Sequence, residues 1–162
     1  MDSAMKMARQ YYTELSPKED KRVNFIAREG SYHGTTLGSL SMSGHVARRR
    51  IFQDMLLPNI HRVSACNAYR GMKEDQAVEE YVEQLENELD QKFQDVGPDT
   101  VCAFVAEPVV GAVWASPALF KQSELTSALQ TTGCVPAVPG YFKAMRRVCD
   151  KYGALLILDG QS

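Results

Sequence analysis

PGYFKAMRRVCDKYGALLILD, residues 139–159, is the stretch whose reading decides the fold class. Pro139-Gly140 opens a predicted helix in which Tyr141, Met145, Val148, Cys149 and Tyr152 recur at helical spacing and form one apolar face. Gly153 stands where a left-handed C-terminal cap is expected. Ala154–Leu158 (ALLIL) then runs apolar without alternation, the pattern of a strand covered on both faces, and Asp159 closes it. Upstream, Val101–Ala106 (VCAFVA) has the same unbroken apolar character and ends at Glu107-Pro108. Strand, helix, strand is a βαβ unit, which implies an α/β fold with a mainly parallel sheet flanked by helices.

Working outward, Glu74–Gln94 carries Ala77, Val78, Tyr81, Val82, Leu85, Leu89 and Phe93 at helical spacing with acids between them, and Gly97-Pro98 stops it. Ser3–Leu15 reads as a helix with Ala4, Met7, Ala8, Tyr11, Tyr12 and Leu15 on one stripe. Val23–Arg28 alternates as a short strand, and His61–Ser64 is another. Between them lie the loop Gly30–Gly34 and a short helix over Thr36–Ser43 with Thr35 as its cap. Val113–Thr132 shows no sustained period.

The formal net charge of −2 gives no electrostatic reason to expect nucleic acid or an anionic membrane as partner. Arg48, Arg49 and Arg50 form the only tight basic cluster; it reads as a solvated helix end, with phosphate contact as the alternative. Cys66, Cys102, Cys134 and Cys149 are widely spaced and suit a reducing compartment better than a disulfide framework. No apolar run approaches the roughly 20 residues that cross a bilayer. A cytoplasmic location is expected, with a mitochondrial one left open.

Ligands of open α/β sheets bind beyond the carboxyl ends of the strands. That rule selects Tyr32-His33-Gly34 after the first strand, Glu107 after VCAFVA, and Asp159 after ALLIL. Each has a plain structural alternative: Asp159 as a helix cap, Glu107 as a solvated strand end, His33 as a loop hydrogen bonder, Tyr32 as packing. His33, His45 and His61 have no metal-ligand spacing, so no metal site is expected. Residue by residue, the chain is an α/β ligand-binding unit without an assigned reaction.

A reaction enters by resemblance. ARQYY (8–12), SYHGTTLGSLSMSGH (31–45), PDTVCAFVAEPVVGA (98–112), GCVPAVPGYF (133–142) and YGALLILD (152–159) resemble, in this order, segments of the class III aminotransferases, pyridoxal-phosphate enzymes of fold type I. The resemblance implies pyridoxal 5'-phosphate as cofactor, bound by Tyr32, His33, Gly34, Glu107 and Asp159. Tyr32 would lie on the face of the pyridine ring and Asp159 would pair with its protonated nitrogen, keeping the ring an electron sink. Glu107 would lie on the substrate side. It further implies a parent enzyme, a homodimer, that moves an amino group between an amine or amino acid and an oxo acid or aldehyde. Aminomutase, racemase and decarboxylase relatives stay open as alternatives.

By the same resemblance, residues 1–162 form part of the large cofactor-binding domain, with 113–132 as a non-family insertion of translated non-coding sequence. The lysine that holds the cofactor aldehyde as a Schiff base is expected C-terminal of the Asp159 strand. None of the eight lysines from Lys6 to Lys151 has a matching context. No catalytic residue is therefore expected in this chain, and an inactive or interaction-only product is the alternative reading.

Overall fold

Residues 1–111 and 135–160 are described by the computed structural model. Four parallel strands, β1 (Asn24–Arg28), β2 (Ile60–Val63), β3 (Val101–Ala106) and β6 (Leu155–Leu158), form one sheet in the order β2-β1-β3-β6. The expected α/β class with a parallel sheet flanked by helices is what the chain adopts. Two short strands, β4 (Val109–Val110) and β5 (Val135–Pro136), pair antiparallel beside it. The stretch 113–132, expected to be an insertion, lies outside the described residues, as does Cys134.

The two faces of the sheet are covered by different helices. On one face α5 (Val78–Val96) and α6 (Tyr141–Lys151) bury Tyr81, Leu85, Leu89, Phe93, Met145 and Cys149 against Ile26, Phe104 and Ala106. On the other, α1 (Asp2–Glu14) sets Met5, Ala8 and Tyr12 against Phe25, Ala27, Cys102 and Val105. Burying a large apolar side chain stabilises by about 1.5–3 kcal/mol, so these two layers hold the chain together. β3 sits between β1 and β6, and all six of its residues are buried. Its register against β1 jumps from Asn24↔Val101 to Phe25↔Ala103, a bulge that turns Cys102 and Ala103 toward the same layer.

Three expectations need correcting. The buried stripe of α1 is Met5, Ala8 and Tyr12, whereas Met7 and Tyr11 are 70% and 49% exposed. The apolar residues span nearly half the helix circumference, and packing selects one side of that arc, rotated from the stripe the spacing favoured. α2 (Leu37–Met42) is capped by Thr36, not Thr35, and Thr36 makes no side-chain cap bond. Its capping acceptor is Asp2 of α1, which takes hydrogen bonds from Ser39 N–H at 3.2 Å and from the hydroxyls of Thr36 and Ser39. ALLIL is not covered on both faces over its length, because β6 is an outer strand of the described sheet and Leu158 is 48% exposed.

Behind the strand N-termini, the buried Arg22 clasps several segments. Its guanidinium donates to the carbonyls of Val101 at 2.7 Å and Tyr152 at 3.0 Å, pairs with Glu19, and lies 4.7 Å from the Tyr12 ring. The Tyr12 hydroxyl lies within reach of the carbonyls of Cys102 (3.1 Å) and Gly153 (2.8 Å). Gly153 has the left-handed φ of +62° expected of it.

Candidate functional site at the carboxyl ends of the strands

Parallel strands point all their carboxyl ends one way, so the residues following β1, β3 and β6 meet at one edge. A cleft of about 410 Å³ opens there, lined by Tyr32, His33, Gly34, Glu107, Pro108 and Asp159 among others. That volume falls within the range of small-molecule sites. All five sequence-predicted site residues share this cleft.

The β3–β6 ladder fixes Asp159, whose N–H donates to Ala106 O at 2.9 Å. His33 is positioned by its own N–H, which donates to Ser43 Oγ at 2.8 Å. Its Nδ1 then lies 2.7 Å from Asp159 Oδ2. Gly34 has a φ of +123°, and a Cβ there would come within 3.0 Å of the Ser39 side chain, so the loop requires glycine on both counts. Tyr32 N–H donates to Glu107 Oε2 at 3.2 Å, tying the first strand's loop to the end of β3. Glu107 is not the solvated strand end of its plain alternative, since it is buried; His33, also buried, does form hydrogen bonds from its loop, as its plain alternative had it.

Burial sets the charges. Desolvation lowers the pKa of His33, and the hydrogen bond and charge of Asp159 oppose that without cancelling it. The imidazole is thus neutral near pH 7 and donates its Nδ1 proton to Asp159, leaving Nε2 buried without a partner. Burial pushes Glu107 up to about 7, while Tyr32 N–H and Arg28 pull it down and Asp159 adds to the rise. The cleft therefore holds an acid that changes charge in the physiological range beside one whose second oxygen, Oδ1, takes no hydrogen bond from the described residues.

Two arginines escaped the sequence reading. Arg28, the last residue of β1, is fully buried; it donates to Glu107 O at 2.5 Å, and its Nε and Nη1 are unpartnered. An arginine closing an apolar strand carries no signal of this. Arg48, read as part of a solvated helix end, lies with its guanidinium 4.7 Å from the Tyr32 ring centroid, leaving one ring face for any ligand. Only the placement of α3 (Val46–Arg49) shows that contact.

The donor set suits a substituted pyridine. A protonated ring nitrogen needs one carboxylate oxygen in a partly desolvated place, which Asp159 Oδ1 offers, and the ring needs one aromatic face, which Tyr32 retains. Among the described residues there is no cluster of His, Cys, Asp and Glu arranged to hold a metal ion.

Fold and cleft define an α/β ligand-binding unit of the parallel-sheet kind. The chain belongs to the class-III aminotransferase family, whose profile it matches over residues 1–160. It is 62% identical over 160 residues to an aminotransferase of Gibberella zeae, covering 98% of this chain and 28% of that protein. An uncharacterized aminotransferase of Schizosaccharomyces pombe is 38% identical over 159 residues, with 98% of this chain and 30% of that one covered. The omega transaminase of Pseudomonas jessenii, solved in complex with PMP, superposes with a TM-score of 0.77 at 30% identity over 98% of this chain and 30% of its own. The chain thus spans somewhat under a third of the length of these relatives.

Proposed function

We propose that this chain is the part of a pyridoxal-phosphate-dependent aminotransferase that binds and orients the cofactor ring. The observation that carries the reading is the meeting of Tyr32, His33, Glu107 and Asp159 in one cleft, with His33 Nδ1 2.7 Å from Asp159 Oδ2. When bound, the cofactor supplies a cationic ring that withdraws electrons from the substrate carbon losing its proton.

His33 donates its Nδ1 proton to Asp159 Oδ2 and so fixes the carboxylate plane. Asp159 Oδ1 would then accept a hydrogen bond from the protonated ring nitrogen and keep the proton on that nitrogen. The free face of Tyr32 would pack on the ring, with Arg48 on the other face keeping the phenol from turning away. Glu107 anchors the Tyr32 loop through the backbone N–H and stands on the side where the substrate amine arrives. The substrates are an amine or amino acid and an oxo acid or aldehyde, and the working enzyme is a homodimer.

Among the described residues, those lining the cleft include no lysine. The reading therefore gives this chain binding and orientation of the ring and no turnover by itself. Titrating the purified chain with pyridoxal phosphate and following the absorbance of the bound ring tests it. Saturable binding should weaken by about tenfold in Asp159→Asn, the loss of one charge-assisted hydrogen bond. Equal binding by the two proteins would refute the cofactor assignment. Borohydride reduction followed by mass spectrometry should leave every lysine unlabelled, and a labelled one would refute the restriction to binding.

A further inference from the structure

Beside α2, two further arginines bury donor nitrogens that have no partner among the described residues. Arg62, in β2, donates through Nη2 to the carbonyls of Ser41 at 2.6 Å and Ser43 at 2.8 Å, closing the C-terminus of α2. That accounts for one of its three nitrogens; Nε and Nη1 are buried and have no partner. Arg49, at the end of α3, follows a few residues after those carbonyls and also buries its Nε without a partner. Each guanidinium presents a flat fork of donors in a fixed geometry.

Electrostatics makes this arrangement costly as it stands. Burial, with the nearby charge of Arg49, lowers the pKa of Arg62 to about 10. Burial also lowers that of Arg49. Glu29 is the carboxylate that acts on Arg62, but it is exposed and no ion pair joins it to either arginine among the described residues. A buried N–H left unmade costs about 1–3 kcal/mol, and more on a charged group, so these donors are more stable with an acceptor than without one. Carbonyl capping explains why Arg62 is there; it does not explain the remaining donors or the second cation.

We propose that Arg49 and Arg62 form an oxyanion-binding site between the end of α2, α3 and β2. Its ligand is a carboxylate or a phosphate-type group, whose paired oxygens match the two forks. The source is either a free oxyanion or an acidic side chain of a second copy of this chain. The site adjoins the cofactor cleft through Ser43, whose carbonyl Arg62 holds and whose hydroxyl positions His33, but its test uses no cofactor and so reads separately from the proposed function.

Thermal unfolding of the full chain in sodium sulfate against sodium chloride at equal ionic strength tests the proposal. Sulfate should raise the melting temperature saturably, and chloride should not. Arg49→Met should weaken the sulfate effect by about tenfold or more, the worth of hydrogen bonds to a charged acceptor. Without sulfate it should melt no lower than the parent chain, because it removes one of two like charges. If the ligand is instead a carboxylate of a second copy, melting should rise with protein concentration, and sulfate should shift the chain toward monomer on gel filtration. Identical sulfate responses in the parent chain and Arg49→Met would overturn the site.

Discussion

Replacing Gly38 by alanine should destabilise the chain, although alanine is the better helix former. Gly38 lies in the first turn of α2 with an ordinary helical backbone, and a Cβ there would come within 2.5 Å of Asp2 Oδ1 and 3.1 Å of its Cγ. The methyl must displace the carboxylate that takes hydrogen bonds from Ser39 N–H and the hydroxyls of Thr36 and Ser39. A lost N-terminal cap costs about 0.5–2 kcal/mol, and bonds to a charged acceptor about 1.5–3 each. Asp2 is only partly covered and swings into water instead of being stranded, so about 2 kcal/mol is the sensible total. Alanine's helix preference returns about 0.5–1 kcal/mol, leaving a net loss of about 1–1.5 kcal/mol. In an Asp2→Ala background the obstacle is gone, and the same substitution should stabilise by about 0.5–1 kcal/mol. Urea unfolding of the four proteins in this cycle measures the reversal of sign. Equal effects of Gly38→Ala in both backgrounds would refute the argument that a side chain from α1 caps α2. The hydrogen bonds of Ser39 and Thr36 lower the pKa of Asp2 below its ordinary value. The stabilisation it gives is accordingly complete above the unfolded carboxylate range and disappears as pH falls through the lowered value.

Other consequences are as direct. Leu89 is fully buried between α5 and the sheet, and Leu89→Ala should cost about 2–5 kcal/mol in chemical denaturation. Tyr12→Phe leaves the carbonyls of Cys102 and Gly153 short of a donor and should cost about 1–3 kcal/mol by the same assay; a neutral result would mean water replaces the hydroxyl. His33 should titrate below its ordinary value by proton NMR, and Asp159→Asn should move it lower still, because Asp159 is what favours the charged ring. Since the unfolded chain takes up that proton more readily, stability should decline as pH falls below the normal histidine range; a His33 that titrates upward would contradict the buried pair.

Where one physical cause dominated, the sequence was readable. In α5 and α6 the apolar residues occupy a single stripe with charge opposite, so period alone identified the buried faces. The unbroken VCAFVA run could mean only a covered strand, though its bulge left no trace, since every residue in it is apolar. α1 offered two overlapping stripes, and the choice between them belongs to the sheet it packs on. Sequence also located Tyr32, His33, Gly34, Glu107 and Asp159, because the ends of parallel strands are a fixed place in the topology. It could not show that His33 faces Asp159 across 126 positions, nor that Arg48 covers Tyr32, since both contacts depend on how separate elements dock. The antiparallel pairing of β4 with β5 was invisible at two residues a side.

Arg22 bears on the order of assembly. The carbonyls it grips lie 79 and 130 positions along the chain, so closing these bonds requires β1, β3 and the turn before β6 to be already in place. Such remote closures are entropically late events and are mostly absent from the rate-limiting barrier. The residue accordingly acts as a latch on the completed domain: it sets how long the native state survives before opening, and hardly affects how fast that state is first reached.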